Sequence, residues 1–305
     1  MGCHRLRRSL FTLAVLVPLG CGGGSDKRST NDQQSADKAA SAGDEQTPSV
    51  DDQTCDQIEK TQVAVVTEMW FARISDEGIS AGADLDQISD GCGVSDVQNP
   101  QGVSGVDNSF GSMIPILELT EGAAIEVYIQ NLINNGEVLI MVEMEDVDDS
   151  QNDTCVDVNL LRGLGEPTVG TDKIIESGQT FDRHLDLPMS RAEDQFIEDG
   201  VMEASPLEFN LPFNIFDIAL EFNLHESTLR FDQGQDGHHT GYIAGGLYIN
   251  EFIEFVDGRS DIDIGDLVIE LVTNRADLWP DDSGQCQGIS VVFEFKAKPA
   301  FFYLD

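Results

Sequence analysis

The chain has few basic residues, and one long stretch has none. It contains 17 Lys and Arg against 56 Asp and Glu, a formal charge of −39. Residues 74–161 hold 18 carboxylates and no Lys, Arg or His over 88 positions. Nucleic acid is excluded as a partner because affinity for it depends on Lys and Arg that neutralise phosphates. Direct docking on an anionic membrane surface is disfavoured for the same reason.

The N-terminal apolar run is too short to cross a bilayer. The apolar run covers residues 10–19 and follows Arg5, Arg7 and Arg8. It is half as long as the roughly 20 residues that a helix needs to span a bilayer. A short apolar run with a basic flank is typical of a signal peptide. We therefore predict that residues 1–20 are removed during export.

The end of this segment indicates a lipid anchor. Pro18-Leu19-Gly20-Cys21 resembles a lipobox, which predicts that Cys21 is acylated and binds the chain to a lipid bilayer. Gly22 follows it, and by enterobacterial sorting rules this favours the outer membrane. We expect a bacterial cell-envelope lipoprotein that faces the periplasm or the cell surface. An ordinary secretory signal with an incidental cysteine is the alternative.

The segment after Cys21 has almost no apolar side chains. Residues 21–54 contain no aromatic residue, and Val50 is the only large aliphatic. Such a segment cannot bury enough apolar area to offset its ordering entropy, so it is predicted to be a disordered tether. The folded domain is expected over residues 55–305. Because residues 1–20 carry three Arg and no acid, the rest of the chain has 14 basic and 56 acidic residues, a formal charge of −42.

Four cysteines lie in the predicted domain: Cys55, Cys92, Cys155 and Cys286. An even number in an exported protein indicates two disulfides. Three pairings are possible. The preferred one joins Cys92 to Cys155, between two acidic loops, and Cys55 to Cys286, between the first and last strands. No CxxC motif is present, so neither a zinc knuckle nor a thioredoxin-type site is indicated.

The hydrophobic pattern predicts a mainly β protein with inserted helices, built as one antiparallel β-sandwich-like domain. β-Branched runs or apolar residues at every second position predict strands, over residues 62–71, 137–143, 156–162, 207–215, 218–224, 229–231, 241–248 and 291–303. Helical spacing and capping residues predict helices, over residues 108–119 with Asp107 as N-cap, 122–133, 250–256 and 264–275. A lipid-holding cavity in the sheet is an alternative to a packed core.

A first acidic loop carries carboxylates at spacings suited to a hard cation. Asp84, Asp86 and Asp90 stand in a DxDxxxDG frame. Calcium prefers six to eight oxygen ligands, and alternate Asp residues before a Gly supply them from a short turn. An EF-hand frame from Asp84 is matched at Asp86 and fails beyond it. We expect Asp96 and the more distant Asp107 and Asn108 to complete a structural Ca²⁺ site.

A second acidic loop spans residues 145–157, of which six are carboxylates. Its predicted metal ligands are Asp146, Asp148, Asp149 and Asp153. A Cys92–Cys155 disulfide would bring the two loops together, and they would then share one or two Ca²⁺ sites. The alternatives are solvated carboxylates or carboxylates paired with bases from the second half of the chain.

Three short motifs carry a resemblance to a known group: GVDNS at 105–109, VLIMVEM at 138–144 and KAKPA at 296–300. Together with the acidic loops, they resemble uncharacterised acidic lipoproteins of myxobacteria and related bacteria. The resemblance covers most of residues 70–300. It implies an envelope location and one coherent domain, and it implies no activity.

The motifs of common enzymes are missing. The sequence has no GxSxG elbow, no HExxH pair and no P-loop. We therefore expect a non-enzymatic binding or structural protein. Its expected role is adhesion or carbohydrate recognition. The sequence does not specify which protein or carbohydrate is the partner. The alternative is a secreted calcium-dependent hydrolase, since a carboxylate pair for glycoside hydrolysis needs no motif.

Overall fold

A computed structural model describes residues 60–119, 124–215, 218–234, 236–257 and 265–303. They belong to one compact unit, Thr54–Asp305. The predicted signal peptide (residues 1–20), Cys21, the tether (residues 21–54) and Cys55 lie outside the described residues.

Strands dominate the described part of the chain. The strands are β1 Gln62–Phe71, β2 Val97–Gln98, β3 Ser104–Val106, β4 Leu139–Glu145, β5 Asp153–Leu164, β6 Gln179–Arg183, β7 Ser190–Glu198, β8 Val201–Ile215, β9 Ile218–Asp232, β10 His239–Tyr248, β11 Leu278–Pro280 and β12 Cys286–Phe302. The helices are α1 Ile114–Leu117, α2 Ile125–Asn134, α3 Ile249–Asp257 and α4 Gly265–Asn274, with 3-10 turns at Gly91–Gly93 and Phe110–Met113. The mainly β prediction is confirmed.

The main sheet closes on itself as a barrel of eight strands. Its order is β1-β4-β5-β7-β8-β9-β10-β12, and β12 returns to pair with β1. Every pairing in this ring is antiparallel. The sandwich-like prediction is therefore wrong. Alternating strands fit either architecture, and the closing pairs, such as Phe71 with Phe293, are more than 200 residues apart in sequence.

Aromatic residues fill part of the core. The ring centroids of Phe71 and Phe293 are 4.5 Å apart, and those of Phe71 and Phe110 are 5.0 Å apart. All three residues are buried. Paired rings of this kind contribute beyond the area they bury.

Helix α2 covers part of the main sheet, as its apolar spacing predicts. Ile129 and Ile133 are fully buried, and the Gln130 side chain donates to the backbone oxygen of Thr67 at 2.8 Å. The structure also confirms the predicted helices at residues 250–256 and 264–275, within a residue at each end.

The helix predicted over residues 108–119 is shorter and differently capped. It consists of one 3-10 turn followed by α1, a single helical turn. Asp107 does not cap it, because its carboxylate accepts the backbone N–H of Leu85. The N-cap is Ser109, which makes no side-chain capping bond, and the side-chain oxygen of the preceding Asn108 accepts the backbone N–H of Gly111 at 3.1 Å.

One disulfide, Cys92–Cys286, joins the first acidic loop to the start of β12, with a Cα–Cα distance of 6.0 Å. The preferred pairings of Cys92 with Cys155 and of Cys55 with Cys286 are therefore wrong. Cys155 is also disulfide-bonded, and its partner lies outside the described residues. The physical reason is the path of the loop, whose Gly91 lies against the backbone of Asp277 just before β11, so that Cys92 meets Cys286 at the start of β12.

A small apolar cluster fixes the first acidic loop on the barrel. Ala72, Ala244 and Val292 are its buried members, and Leu85 packs against them from the loop. Gly82 has a φ of +144°, and a Cβ there would lie 3.1 Å from the Val292 side chain. Glycine thus lets the loop backbone approach β12 closely, and the carboxylates that follow are held at the barrel wall.

Candidate metal centre

Three of the predicted ligands come together in the first acidic loop. Oxygen atoms of Asp84, Asp86 and Asp107 all lie within 4.8 Å of one another. Within the part of the chain that the structure describes, this is the one place where three Asp, Glu, His or Cys side chains converge so closely. The sequence separates Asp86 from Asp107 by 21 positions, so the fold of the loop creates the group.

Backbone hydrogen bonds orient each carboxylate. The backbone N–H of Asp107 donates to the Ala83 oxygen at 3.0 Å, and the Asp107 carboxylate accepts the N–H of Leu85 at 2.7 Å. These two bonds clamp the segment that carries Asp84 and Asp86 against Asp107. Asp84 also accepts the N–H of Gln87 through Oδ1, at 2.7 Å.

Asp86 has one oxygen without a partner. Its Oδ1 accepts the N–H of Ile88 at 2.8 Å, whereas its Oδ2 is inaccessible to solvent and has no hydrogen-bond partner. A buried anionic oxygen without a donor is costly, because it has lost water without replacement. A bound cation would compensate for that loss.

Gly91 allows a further oxygen to approach. A Cβ at Gly91 would lie 2.5 Å from the backbone oxygen of Asp277 and 3.0 Å from Asp86 Oδ2. Both oxygens therefore border the space that the missing side chain leaves. The Cys92–Cys286 disulfide at the next position holds the loop there.

Burial makes Asp107 hard to ionise in the protein alone. It is 3% exposed, and burial raises the pKa of its carboxyl to about 7, with smaller upward contributions from Asp86, Asp277 and Asp96. The Leu85 N–H opposes this shift. Desolvation with several carboxylates nearby favours a proton or a metal ion on the group.

Asp277 is a buried neighbour that sequence reasoning missed. It is 4% exposed, and burial raises its pKa to about 6. Both of its oxygens accept hydrogen bonds from Ser290, one from the backbone N–H at 2.8 Å and one from Oγ at 2.5 Å. A single Asp between Ala276 and Leu278 carries no pattern that would have pointed to this role.

The remaining predicted ligands of the first loop surround the group without joining it. Asp96 accepts a hydrogen bond from the backbone of Asp90, and burial raises the pKa of its carboxyl. Asp90 is exposed and has a left-handed φ of 59°. The Asn108 side chain binds Gly111, Ser80 and Ala72 within the structure, so its amide is already occupied.

No base neutralises this group among the described residues. Arg73, which precedes the base-free stretch, pairs instead with Glu118 at 2.8 Å and Glu126 at 2.9 Å. None of the described ion pairs includes Asp84, Asp86 or Asp107. Their charges are therefore left to water, protons or a cation.

The second acidic loop is organised differently. Arg191 of β7 pairs with Glu145 at 2.7 Å and with Asp157. Asp153 accepts the backbone N–H groups of Asp148 and Asp149, which folds the loop onto itself. None of the four predicted ligands, Asp146, Asp148, Asp149 and Asp153, joins a group of three converging carboxylates in the described structure. A base from the second half of the chain thus pairs with the first and last carboxylates of this loop, and the shared ion stays a prediction without a matching cluster in the described residues.

Comparisons of the chain with protein-family models, curated proteins and solved structures returned no match. The resemblance to acidic lipoproteins stays a prediction. No helix within the described ranges is long and apolar enough to cross a membrane. The function is therefore inferred from the geometry of this protein.

Two cavities differ in the charged side chains of their walls. One of about 370 Å³ lies beside the candidate metal centre and is lined by Asp96, Asp107 and Asp277, with Arg275 as its one base. Another of about 510 Å³ lies where β7 begins and is lined by apolar side chains together with Arg162, Glu208 and His225. Carboxylates outnumber bases in the first, which we call the acidic cavity, whereas the second contains the buried guanidinium of Arg162.

Proposed function

We propose that this chain is an exported, lipid-anchored protein that acts by binding, not by catalysis, and that its first acidic loop holds one structural calcium ion. Asp84, Asp86 and Asp107 would be the side-chain ligands. The predicted signal peptide and Cys21 support the anchor, and the two acidic loops support the choice of cation.

The observation that carries the calcium proposal is the convergence of three carboxylates without a base. Two oxygens on opposite sides of one calcium ion are about 5 Å apart, since each lies about 2.3–2.6 Å from the ion. The ligand oxygens of Asp84, Asp86 and Asp107 lie within 4.8 Å of one another, which fits a single ion of this size.

Further oxygens are available to complete the shell. Calcium takes six to eight oxygen ligands and accepts backbone carbonyls and water among them. The Asp277 backbone oxygen borders the same space as Asp86 Oδ2. Zinc instead prefers four tetrahedral ligands that are mostly Cys sulfur or His nitrogen, and the converging group consists of three Asp.

The anchor and the charge suit a domain that is held away from the bilayer. The tether would separate Cys21 from the barrel, and a strongly acidic domain is repelled by anionic lipids. Under this proposal the bilayer is a partner through the acyl group alone, and the barrel is presented to a protein or carbohydrate in the envelope.

Thermal unfolding of the full mature protein tests the calcium proposal. EDTA should lower the melting temperature, and about 10 mM Ca²⁺ should restore it. For a dissociation constant of about 10⁻⁴–10⁻³ M, that concentration stabilises the folded state by about 1.4–2.7 kcal/mol. Asp86→Asn should lose most of this increment, because it removes the ligand whose Oδ2 has no other partner.

Asp153→Asn is the matched control. It removes a carboxylate that holds the second acidic loop through backbone N–H groups, so it should lower the melting temperature in EDTA and calcium alike and keep the calcium increment. A melting temperature that responds to neither EDTA nor Ca²⁺ would refute the proposal.

One observation favours a calcium-dependent hydrolase as the second candidate. Asp107 and Asp277 both line the acidic cavity and both have raised pKa values, as catalytic carboxylates often do. We rank it second because Ser290 occupies both oxygens of Asp277. Calcium-dependent turnover of chromogenic glycosides or esters that disappears in Asp277→Asn would reverse the ranking.

A further inference from the structure

The barrel wall is interrupted beside β7. Ser190, the first residue of β7, pairs with Leu160 of β5, and its hydroxyl accepts the backbone N–H of Glu208 on β8. Beyond this point β5 continues to Leu164 and β8 continues to Ile215. There β5 no longer pairs with β7; its last two residues pair with β6 instead, and the cavity of about 510 Å³ occupies this seam beside the loop that joins β6 to β7.

The seam cavity has both apolar and polar side chains in its wall. Leu160 and Phe209 come from the two flanking strands, and Leu187, Pro188 and Met189 come from the loop before β7. The polar lining residues are Arg162, Ser190, Glu208, Asn210, Asn223 and His225, and the Glu208 carboxylate is paired with His225 at 2.8 Å. The volume of the cavity lies within the range of about 300–1,000 Å³ that small-molecule sites usually have. The cavity therefore has room for a small ligand with an apolar part and a polar part.

Arg162 is the one polar residue of this wall that is buried. It shares a face of β5 with Val158 and Leu160, which are core residues, and it is 8% exposed. Its Nη2 donates to the backbone oxygen of Glu137 at 3.0 Å, but its Nε and Nη1 are buried without any hydrogen-bond partner. No described carboxylate forms an ion pair with it.

An unpaired buried guanidinium is unexpected in so acidic a chain. With 56 Asp and Glu against 17 Lys and Arg, almost every other described Arg has a carboxylate partner, as Arg183 and Arg191 show. Buried charges are normally paired, because the desolvation of a lone charge is expensive. Burial also lowers the pKa of Arg162, to about 10.

We propose that the seam cavity binds a monocarboxylate with an apolar tail, whose carboxylate pairs with Arg162 and whose tail lies against Leu187, Met189 and Phe209. Arg binds a carboxylate through two parallel N–H···O bonds. Because Nε and Nη1 of Arg162 are inaccessible to solvent, the guanidinium would have to turn toward the cavity to offer these unpaired donors to the ligand. The proposal deepens the binding function stated above but does not depend on calcium at the first acidic loop.

Calorimetric titration of the full mature protein with decanoate and decan-1-ol tests it. Both probes have the same chain length, and only decanoate carries the charge. We expect decanoate to bind about tenfold or more tightly than the alcohol, since hydrogen bonds to charged groups are the strong ones. Equal affinities, or no binding of decanoate, would overturn the proposal. If acetate bound as tightly as decanoate, the inference that the ligand has an apolar tail would be wrong.

Substitutions of Arg162 test whether this residue causes the preference for decanoate over decan-1-ol. Arg162→Gln should abolish the preference for decanoate, and Arg162→Lys, which keeps the charge, should retain part of it. Arg73→Gln is the matched control, because it removes an Arg that already has two carboxylate partners. A preference that survives in Arg162→Gln would overturn the assignment, and the two wild-type titrations decide the proposal if that variant does not fold.

The same titrations in EDTA separate the two proposals. Suppose that decanoate still binds in EDTA but calcium does not change the melting temperature. That result would refute the calcium site alone. A normal calcium response with no decanoate binding would refute the seam-cavity ligand alone.

Discussion

Asp107 and Asp277 show how single residues acquire properties that their neighbours in sequence do not indicate. Each is an ordinary aspartate by composition, and each becomes a buried acid through contacts with remote segments, Leu85 for one and Ser290 for the other. Burial raises the pKa of both, to about 7 and about 6, from an ordinary value of 3.8. Both therefore couple folding to pH.

The sign of this coupling is opposite to that of a salt-bridged carboxylate. Between pH 3.8 and about 7 the folded protein binds more protons at these groups than the unfolded chain does. Stability is thus greatest below the unfolded pKa and is lost as pH rises through the folded values. In EDTA, we expect the melting temperature to fall between about pH 4 and about pH 7.

Asp277→Asn isolates the contribution of one group. Because an amide does not titrate, the variant should show a shallower fall of melting temperature with pH in EDTA than the wild-type protein shows. Calcium should also flatten the wild-type curve, since a cation favours the ionised form. An identical pH profile for variant and wild type would contradict the role given to burial of Asp277.

At the scale of elements, the Cys92–Cys286 disulfide connects the candidate metal centre to β12. It closes a loop with a sequence separation of 194 residues. Loss of a native disulfide from a small secreted domain typically costs about 2–5 kcal/mol. We expect the Cys92→Ser, Cys286→Ser double variant to melt at a lower temperature and to bind calcium more weakly, because the loop that carries Asp86 loses its tie to the barrel.

Peptide mapping under non-reducing conditions checks the pairing directly. A linked pair of peptides that contain Cys92 and Cys286 is expected. Recovery of Cys92 linked to Cys155 would contradict the fold of the first acidic loop and with it the geometry of the metal centre.

Strands and helices with a strong apolar pattern could be predicted from the sequence. A strand whose side chains are mostly exposed and polar could not. The prediction for β1 matches its bounds of Gln62–Phe71, and α2, α3 and α4 lie within a few residues of their predicted positions. Strand β7 was missed because only Ala192 and Ile197 of its nine residues are buried. Its exposed positions carry charges such as Arg191, which pairs with Glu145 and Asp157 of the second acidic loop.

The candidate site was predictable in part for the same reason. Alternate acids in a short loop pointed to Asp84 and Asp86, because the requirement for closely spaced oxygens is local. The contributions of Asp277, Gly91 and Arg162 depend on which segments meet across the barrel. Closure of the sheet decides those contacts, and pairings between distant strands leave no local trace in the sequence.

At the scale of the whole molecule, charge opposes the folded state. A formal charge of −39 on 305 residues favours solubility in water but destabilises a compact state through self-repulsion. The described ion pairs relieve this repulsion in a few places, at Arg73, Arg183, Arg191 and Arg230. Most carboxylates are left to solvent and to counterions.

Salt should therefore stabilise this protein. Screening acts on exposed charges over about 10 Å at 0.1 M ionic strength and over about 3 Å at 1 M. In EDTA, raising NaCl from about 0.02 M to about 0.5 M should raise the melting temperature, because repulsion is screened more than the few exposed ion pairs are weakened. A fall with salt would mean that those pairs outweigh the repulsion.

The same measurement decides what calcium does. About 10 mM CaCl₂ contributes an ionic strength of about 0.03 M, and NaCl at that ionic strength provides nearly the same screening at the barrel surface. An ion held by Asp84, Asp86 and Asp107 should raise the melting temperature well beyond this NaCl control, and the excess should vanish in Asp86→Asn. If NaCl at equal ionic strength reproduced the whole effect, calcium would act as a diffuse counterion for an acidic surface, and the site would not exist.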